Sequence, residues 1–231
     1  MSRLYKFHCD DTPYFLSALA ERKDLDIISE DENPLFVCDS VKFRLRLPLF
    51  YPPAEDRDPL WHYLERVEIS EEIPPWNIVL MEAGRAAVGA VVDGELVKHK
   101  NIRKYMVRKK SGKAQLTHLK TKGKSRYGSR LRLQESEDYF REIIERLQQD
   151  PESNAEFVFY HCPVRLKSYL DEASEGIDGF EKFTWRKLGV SVKECSFNEL
   201  KRHSREPFYT RLTLEDDADA DHLPDIPEYK K

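Results

Sequence analysis

WNIVLMEAGRAAVGAVVDGELVKHKNIRKYMV, residues 76–107, reads as three antiparallel strands in succession. Trp76 to Glu82 and Arg85 to Val92 are rich in residues that fit a pleated, half-buried surface, with Ala83-Gly84 as the tight turn between them. Asp93-Gly94 is a two-residue hairpin signal, because both central residues of such a turn need a positive φ. The third strand is expected from Glu95 to about Val107 and passes directly into the most unusual charge pattern of the chain. Successive strands present whatever follows at the end of a rigid sheet, which is where functional loops tend to sit.

That pattern covers Lys98 to Gln134. Of the chain's 38 Lys and Arg residues fourteen lie in this stretch, and none of its 42 Asp and Glu residues does. The stretch therefore carries +14 and the remainder −18, a separation of sign that the net charge of −4 conceals. A long block of one sign is the electrostatic footprint of a phosphate-rich partner, with a solvated flexible loop as the plainer reading. Within it, Ser111-Gly112-Lys113-Ala114-Gln115 stands apart. Gly112 permits backbone conformations closed to other residues, and Ala114 is small enough for close approach to a partner. Gln115 has an amide donor and acceptor but no ionisable proton, so it can hold a water or an oxyanion without acting as a general base. His99 and His118 flank this motif as candidate general bases, His118 alternatively as an RNA contact, and Tyr127 could stack on a base or anchor the loop's return.

Downstream, Ser136 is the expected N-cap of a helix whose Tyr139, Phe140, Ile143, Ile144 and Leu147 form one apolar face, and Asp150-Pro151 stops it. A strand is expected at Glu156–His161, helices at Val164–Glu172 and Gly179–Leu188, a strand at Gly189–Cys195, a short helix near Asn198–His203 and a strand at Phe208–Leu214. Upstream, Leu4–Cys9 reads as a strand, Thr12 as the N-cap of a helix with Pro13 at its first position, and Val41–Leu47 as a half-buried strand. Its Lys42, Arg44 and Arg46 share a polar face that could extend a nucleic-acid surface. Pro48 to Pro59 is a connector, and Asp58-Pro59 starts a helix through Leu60, Trp61, Leu64 and Val67. The expected class is α/β (α+β), a mixed sheet with flanking helices, in an order compatible with an RNase H-like layout. The expected division is a small α/β extension with its connector at 1–73, a second domain at 74–214 (catalytic by the resemblance given below) with its basic loop at about 109–130, and a mobile acidic tail at 215–231.

No apolar run approaches membrane-spanning length, and the N-terminal residues lack the apolar core of a signal peptide. Cys9, Cys38, Cys162 and Cys195 form no CxxC pair, which argues against a zinc ribbon. His8-Cys9 and His161-Cys162 read as structural rather than metal-binding, so no metal or cofactor is expected, and the expected compartment is the reducing cytoplasm.

Residues from about Glu82 to Gln149 resemble the catalytic domain of the Vms-like release factor (VLRF) family, ribosome-quality-control relatives of the class I peptide release factors of eukaryotes and archaea. The resemblance is carried by Gly89-Ala90, Asp93-Gly94, His99-Lys100, Arg103, Tyr105-Met106-Val107-Arg108, Lys109-Lys110, Gly112-Lys113-Ala114-Gln115 and Gly128 to Arg132. It implies an RNase H-like fold whose loop enters the peptidyl-transferase centre, with Gln115, Gly112, Lys113 and Ala114 acting at the 3′ end of a P-site tRNA. It further implies release of a stalled chain by ester hydrolysis or by cutting near the terminal CCA. Lys109, Lys110, Lys120, Lys122, Lys124, Arg126, Arg130 and Arg132 would then grip rRNA and tRNA phosphates, which position without reading sequence. The partners implied are the large ribosomal subunit and peptidyl-tRNA, met by a monomer and without a membrane. Ala114 stands where release factors proper carry a second glycine before the glutamine. Two other readings stay open: a non-catalytic RNA-binding protein, and a metal-dependent nuclease drawing on carboxylates such as Glu82, Asp93 and Asp138.

Overall fold

The computed structural model of the 231-residue chain describes every residue except 1, 32–34, 69–72, 106–126, 150–154, 176, 178 and 228–231, and only the backbone of 31, 127–133, 217 and 218. It is mixed α/β and divides into two compact units, one formed by Met1–Ile73 with Arg205–Lys231 and the other by Pro74–Ser204.

The first unit is an antiparallel sheet in the order β1-β10-β4-β3-β2, with β1 at Arg3–His8, β2 at Ile28–Asp31, β3 at Leu35–Cys38, β4 at Phe43–Arg46 and β10 at Tyr209–Leu214. Alternation in β4 sends Phe43 and Leu45 inward and exposes Arg44. Helices α1 (Thr12–Ala20) and α2 (Leu60–Arg66) contribute Phe15, Leu16, Leu19 and Tyr63 to one apolar core with Phe7, Phe36, Leu45, Leu212 and Leu214. Each fully buried large side chain stabilises the unit by about 1.5–3 kcal/mol relative to exposure. Thr12 is the first helical residue rather than the cap, because its hydroxyl lies 2.6 Å from that of Thr210 on β10.

The Phe208–Leu214 strand was expected in the catalytic domain, yet its pairing places it in the first sheet, Leu212 opposite Tyr5 on one side and Leu45 on the other. The acidic tail, expected to be mobile, continues as a 3-10 helix at Asp217–His222, and Leu223 is buried in the same core. Apolar side chains at Ala220, Leu223 and Ile226 anchor it despite its charge.

The second unit holds a five-stranded sheet in the order β7-β6-β5-β8-β9. β5 (Trp76–Glu82), β6 (Arg85–Val92) and β7 (Glu95–Arg103) are the expected antiparallel run. Asp93 (φ 51) and Gly94 (φ 75) make the expected hairpin turn. β8 (Phe157–His161) joins β5 in parallel and β9 (Thr184–Lys187) joins β8 in parallel. β5 is central and buried along nearly its whole length, which explains its continuous apolar run. Helix α3 (Tyr127–Gln148) lays Tyr139, Phe140, Ile143, Ile144 and Leu147 into a core with Val79, Met81, Val88 and Ile102. α4 (Val164–Ser174) crosses between β8 and β9, and α5 (Phe197–His203) packs against β5, β6 and β7.

Three expectations fail here for physical reasons. Helix α3 starts at Tyr127 rather than after Ser136, because the intervening Arg, Leu, Gln and Glu are good helix formers and carry it past the internal cap signal. The segment expected as a helix at Gly179–Leu188 instead forms turns and then β9, whose Trp185 packs against Tyr160 of β8 and against Phe180. Residues 189–195 then form no strand, Gly189 turning the chain with φ 59.

Candidate RNA interface

Strand β7 and helix α3 bracket the basic stretch. Gly112, Lys113, Ala114 and Gln115, together with Lys109, Lys110, Lys120, Lys122, Lys124, Arg126 and His118, lie outside the described residues. Arg130 and Arg132 belong to the first turns of α3, two positions and therefore about 200° apart around its axis.

The surroundings are firmly built. The backbone N–H of Lys104 donates to the carbonyl of Gly84 at 2.9 Å, so the chain leaving β7 is tied to the β5–β6 turn. Gly84 takes φ 78 there, a conformation open to glycine at little cost. The Tyr139 hydroxyl from α3 reaches the carbonyls of Glu82 (2.9 Å) and Arg85 (2.8 Å) on either side of the same turn. Burial, reinforced by Cys195 and Glu82, pushes the Tyr139 phenol well above its ordinary range, so it remains a donor. Glu142 of α3 pairs with Lys104 at 3.3 Å, and Glu135 accepts from the backbone N–H of Tyr105 at 3.4 Å. One turn, one strand end and one helix thus fix the base from which residues 106–126 depart.

Around this base the exposed cations of β7 are Lys100 and Arg103, and Tyr105 is half exposed. His99 makes a ring contact with Phe197 of α5, centroids 4.3 Å apart, which gives it a packing role. Gly89 sits opposite His99 in the register, and a Cβ there would meet Leu96 Cδ1 at 2.5 Å and Ile78 Cγ2 at 3.2 Å. That crowding accounts for glycine at this position.

The carboxylates considered for a metal site are separately engaged. Glu82 lies 3.8 Å from Arg85, Asp138 lies 3.2 Å from Arg141, and Asp93 serves its turn. Among the described residues the group able to converge on an ion is His8, Cys9 and Asp10, in the first unit. Burial, followed by the charge of Asp10, pushes the Cys9 thiol up to about 12, which favours the thiol over the thiolate a metal needs. Burial likewise raises Cys162, and Cys195 to about 12. Nor do the arginines of β4 extend a basic face: Arg44 pairs with Glu30, and Arg46 lies 4.0 Å from Glu206 in a half-buried cluster with Arg211. Burial, then the charge of Arg211, lowers Arg46 to about 10.

Sequence reasoning missed Tyr139, Glu135, Glu142 and Gly84 as builders of this base. Apolar periodicity identifies Tyr139 as core but carries no signal for where its hydroxyl points.

No curated protein matches the chain. A family model described as the Bacteroidetes VLRF1 release factor matches residues 76–215, well over half of the 231 residues. With its strand-rich run, its charge and the fixed base now in place, that match makes the assignment: the chain belongs to the Bacteroidetes VLRF1 release factor family.

Proposed function

We propose that the protein is a ribosome-rescue release factor that frees stalled nascent chains from peptidyl-tRNA on the large ribosomal subunit. The observation that carries this reading is the base of residues 106–126, held by backbone and side-chain bonds from Gly84, Tyr139, Glu135 and Glu142. A rigid base reduces the entropy lost when a motif is held against a reacting bond. The +14 charge of residues 98–134 supports the choice of partner, since lysine and arginine grip RNA phosphates without reading sequence. The strand order β7-β6-β5-β8-β9, three antiparallel strands continued by two parallel ones, supports an RNase H-like layout.

In this reading Gly112-Lys113-Ala114-Gln115 enters the peptidyl-transferase centre. Water attacks the ester carbonyl carbon, the bond to the tRNA 3′ oxygen breaks, and that oxygen takes up a proton as it leaves. Gln115 orients the water or steadies the oxyanion by hydrogen bonding, while the proton moves through RNA groups or water. Cutting a phosphodiester near the CCA end is the variant of this reading that the same motif allows. Lys109, Lys110, Lys120, Lys122, Lys124, Arg126, Arg130 and Arg132 position the segment on phosphates.

The test uses large subunits carrying labelled peptidyl-tRNA, wild type beside Gln115→Ala, with the tRNA 3′ end mapped. We expect release to fall about 10²–10³-fold in the variant while subunit binding is kept. An intact 3′ end on the released product marks ester hydrolysis, and a shortened one marks CCA removal. If wild type binds but frees no peptide, the protein is a non-catalytic ribosome-binding factor and the proposal fails.

A further inference from the structure

The opposite edge of the second sheet carries a feature that the release reading does not use. β9 is the outer strand there, four strand spacings or about 19 Å from β7. Between β9, the end of α4 and residues 180–183 lies an open cleft of about 430 Å³. Phe180, Phe183 and Trp185 form its apolar part, and Asp171, Glu175 and Glu181 stand around them. No Lys or Arg lines it among the described residues.

Three further facts specify what such a cleft takes. Glu175 and Glu181 are exposed and make no ion pair among the described residues, so their charge is available, whereas Asp171 is already paired with Lys167. Ser174 and Glu175 close α4, an eleven-residue helix whose carboxyl end carries partial negative charge and favours a cation. The chain itself already places ammonium groups over two of these rings, Lys167 at 4.8 Å from Trp185 and Lys182 at 5.2 Å from Phe183. Aromatic faces flanked by carboxylates suit a side chain with an apolar stem and a cationic head.

We propose that this cleft is a docking site for a lysine- or arginine-rich segment of another protein. The stem of a basic side chain lies on Phe180, Phe183 and Trp185, and its head lies between Glu175 and Glu181. Nucleic acid is repelled by the same carboxylates, so the two edges of one sheet select opposite partners. The proposal does not depend on the chemistry of Gln115.

The test is a titration of the full-length ¹⁵N-labelled protein with N-acetyl-octalysine amide. The three tryptophan indole signals are followed, and Trp185→Phe assigns its own. The Trp185 signal should move on binding while those of Trp61 and Trp76 stay in place. Glu175→Lys with Glu181→Lys, both on exposed positions, should weaken the peptide about tenfold, since two attractions become repulsions. A charge-matched control in the first unit, Asp39→Lys with Glu65→Lys, should change affinity less than about twofold. Equal weakening by both pairs would mean unspecific attraction to an acidic protein and would overturn the proposal, as would a Trp185 signal that does not move. An equal response to spermidine at matched charge would replace the peptide by a small polyamine as occupant, and so overturn it too.

Discussion

The two sheets of this protein use charge in contrasting ways. In the first, cations and anions meet within the unit: Glu206 takes Lys6 from β1 at 2.8 Å and Arg211 from β10, Arg44 meets Glu30, and Asp58 accepts from His62 at 2.7 Å and from Arg66. The second also pairs charge, Lys104 with Glu142 and Lys167 with Asp171, but in addition leaves Lys100 and Arg103 exposed along β7 and Glu175 and Glu181 exposed near β9. Paired charge is consumed inside the fold and serves its stability. Exposed charge leaves a field directed outward, which costs some stability through self-repulsion and is favoured only where a partner supplies the counter-charge. The arginines of β4 show that sequence pattern cannot separate the cases: Val41–Leu47 alternates apolar and basic residues as a surface strand would, yet Arg44 and Arg46 are occupied within the unit.

The largest effect should come from breaking the pairing in the first sheet. Burial would raise the Glu206 carboxyl, but the Lys6 hydrogen bond and the charge of Arg211 outweigh it and hold the carboxyl below the usual glutamate range. Because the folded state binds this proton less readily than the unfolded chain, the stabilisation is complete above the usual glutamate range. It is lost as pH falls through the lower, folded value. Glu206→Gln should therefore cost about 2 kcal/mol at neutral pH, a figure reduced from that of a fully buried pair because Lys6 and Arg211 are partly solvated. It should also flatten the acid limb of urea-unfolding midpoints against pH. An unchanged acid limb would show that the cluster contributes nothing through protonation.

A smaller effect is expected where the second sheet meets the basic stretch. Tyr139→Phe removes the hydroxyl shared by the Glu82 and Arg85 carbonyls and should lower stability by about 1 kcal/mol in urea. Peptide release should fall by more than that loss accounts for under conditions where the variant is fully folded. Equal release by folded variant and wild type would remove Tyr139 from the positioning base.

The smallest is a matter of slope. Lys100→Ser with Arg103→Ser should leave stability nearly unchanged, both side chains being exposed, but reduce the salt dependence of large-subunit binding by about two phosphate contacts. A slope equal to that of wild type would confine the RNA contacts to residues beyond β7.

Much of the second sheet could be read before any coordinates. Residues 76–103 contain a hairpin turn with both φ values positive and strands whose apolar density matches burial on both faces. Local rules suffice where neighbours in sequence are neighbours in the sheet. They failed at β9, where the deciding neighbour is β8, and at β10 they found the strand but not its sheet, because it pairs with a strand about 200 residues earlier. They failed also at Ser136, a plausible cap that the helix simply runs through. The charge of the candidate site was visible as composition, while its supporting bonds from Gly84, Glu135, Tyr139 and Glu142 depend on tertiary placement that no periodicity encodes.

β10 lies between β1 and β4 in the first sheet although residues 74–204 separate it from them in the chain. During synthesis, therefore, β1 and β4 wait for their shared neighbour until Leu214 has emerged. At 5–20 residues per second that interval is roughly ten to thirty seconds. Residues 74–204 form a contiguous unit and are free to fold within it, whereas the earlier strands must keep open edges that invite pairing with other chains. A chain cut after Ser204 would leave them in that condition permanently, so a premature stop there should yield aggregation or degradation of the whole polypeptide instead of a working second unit with a harmless leader.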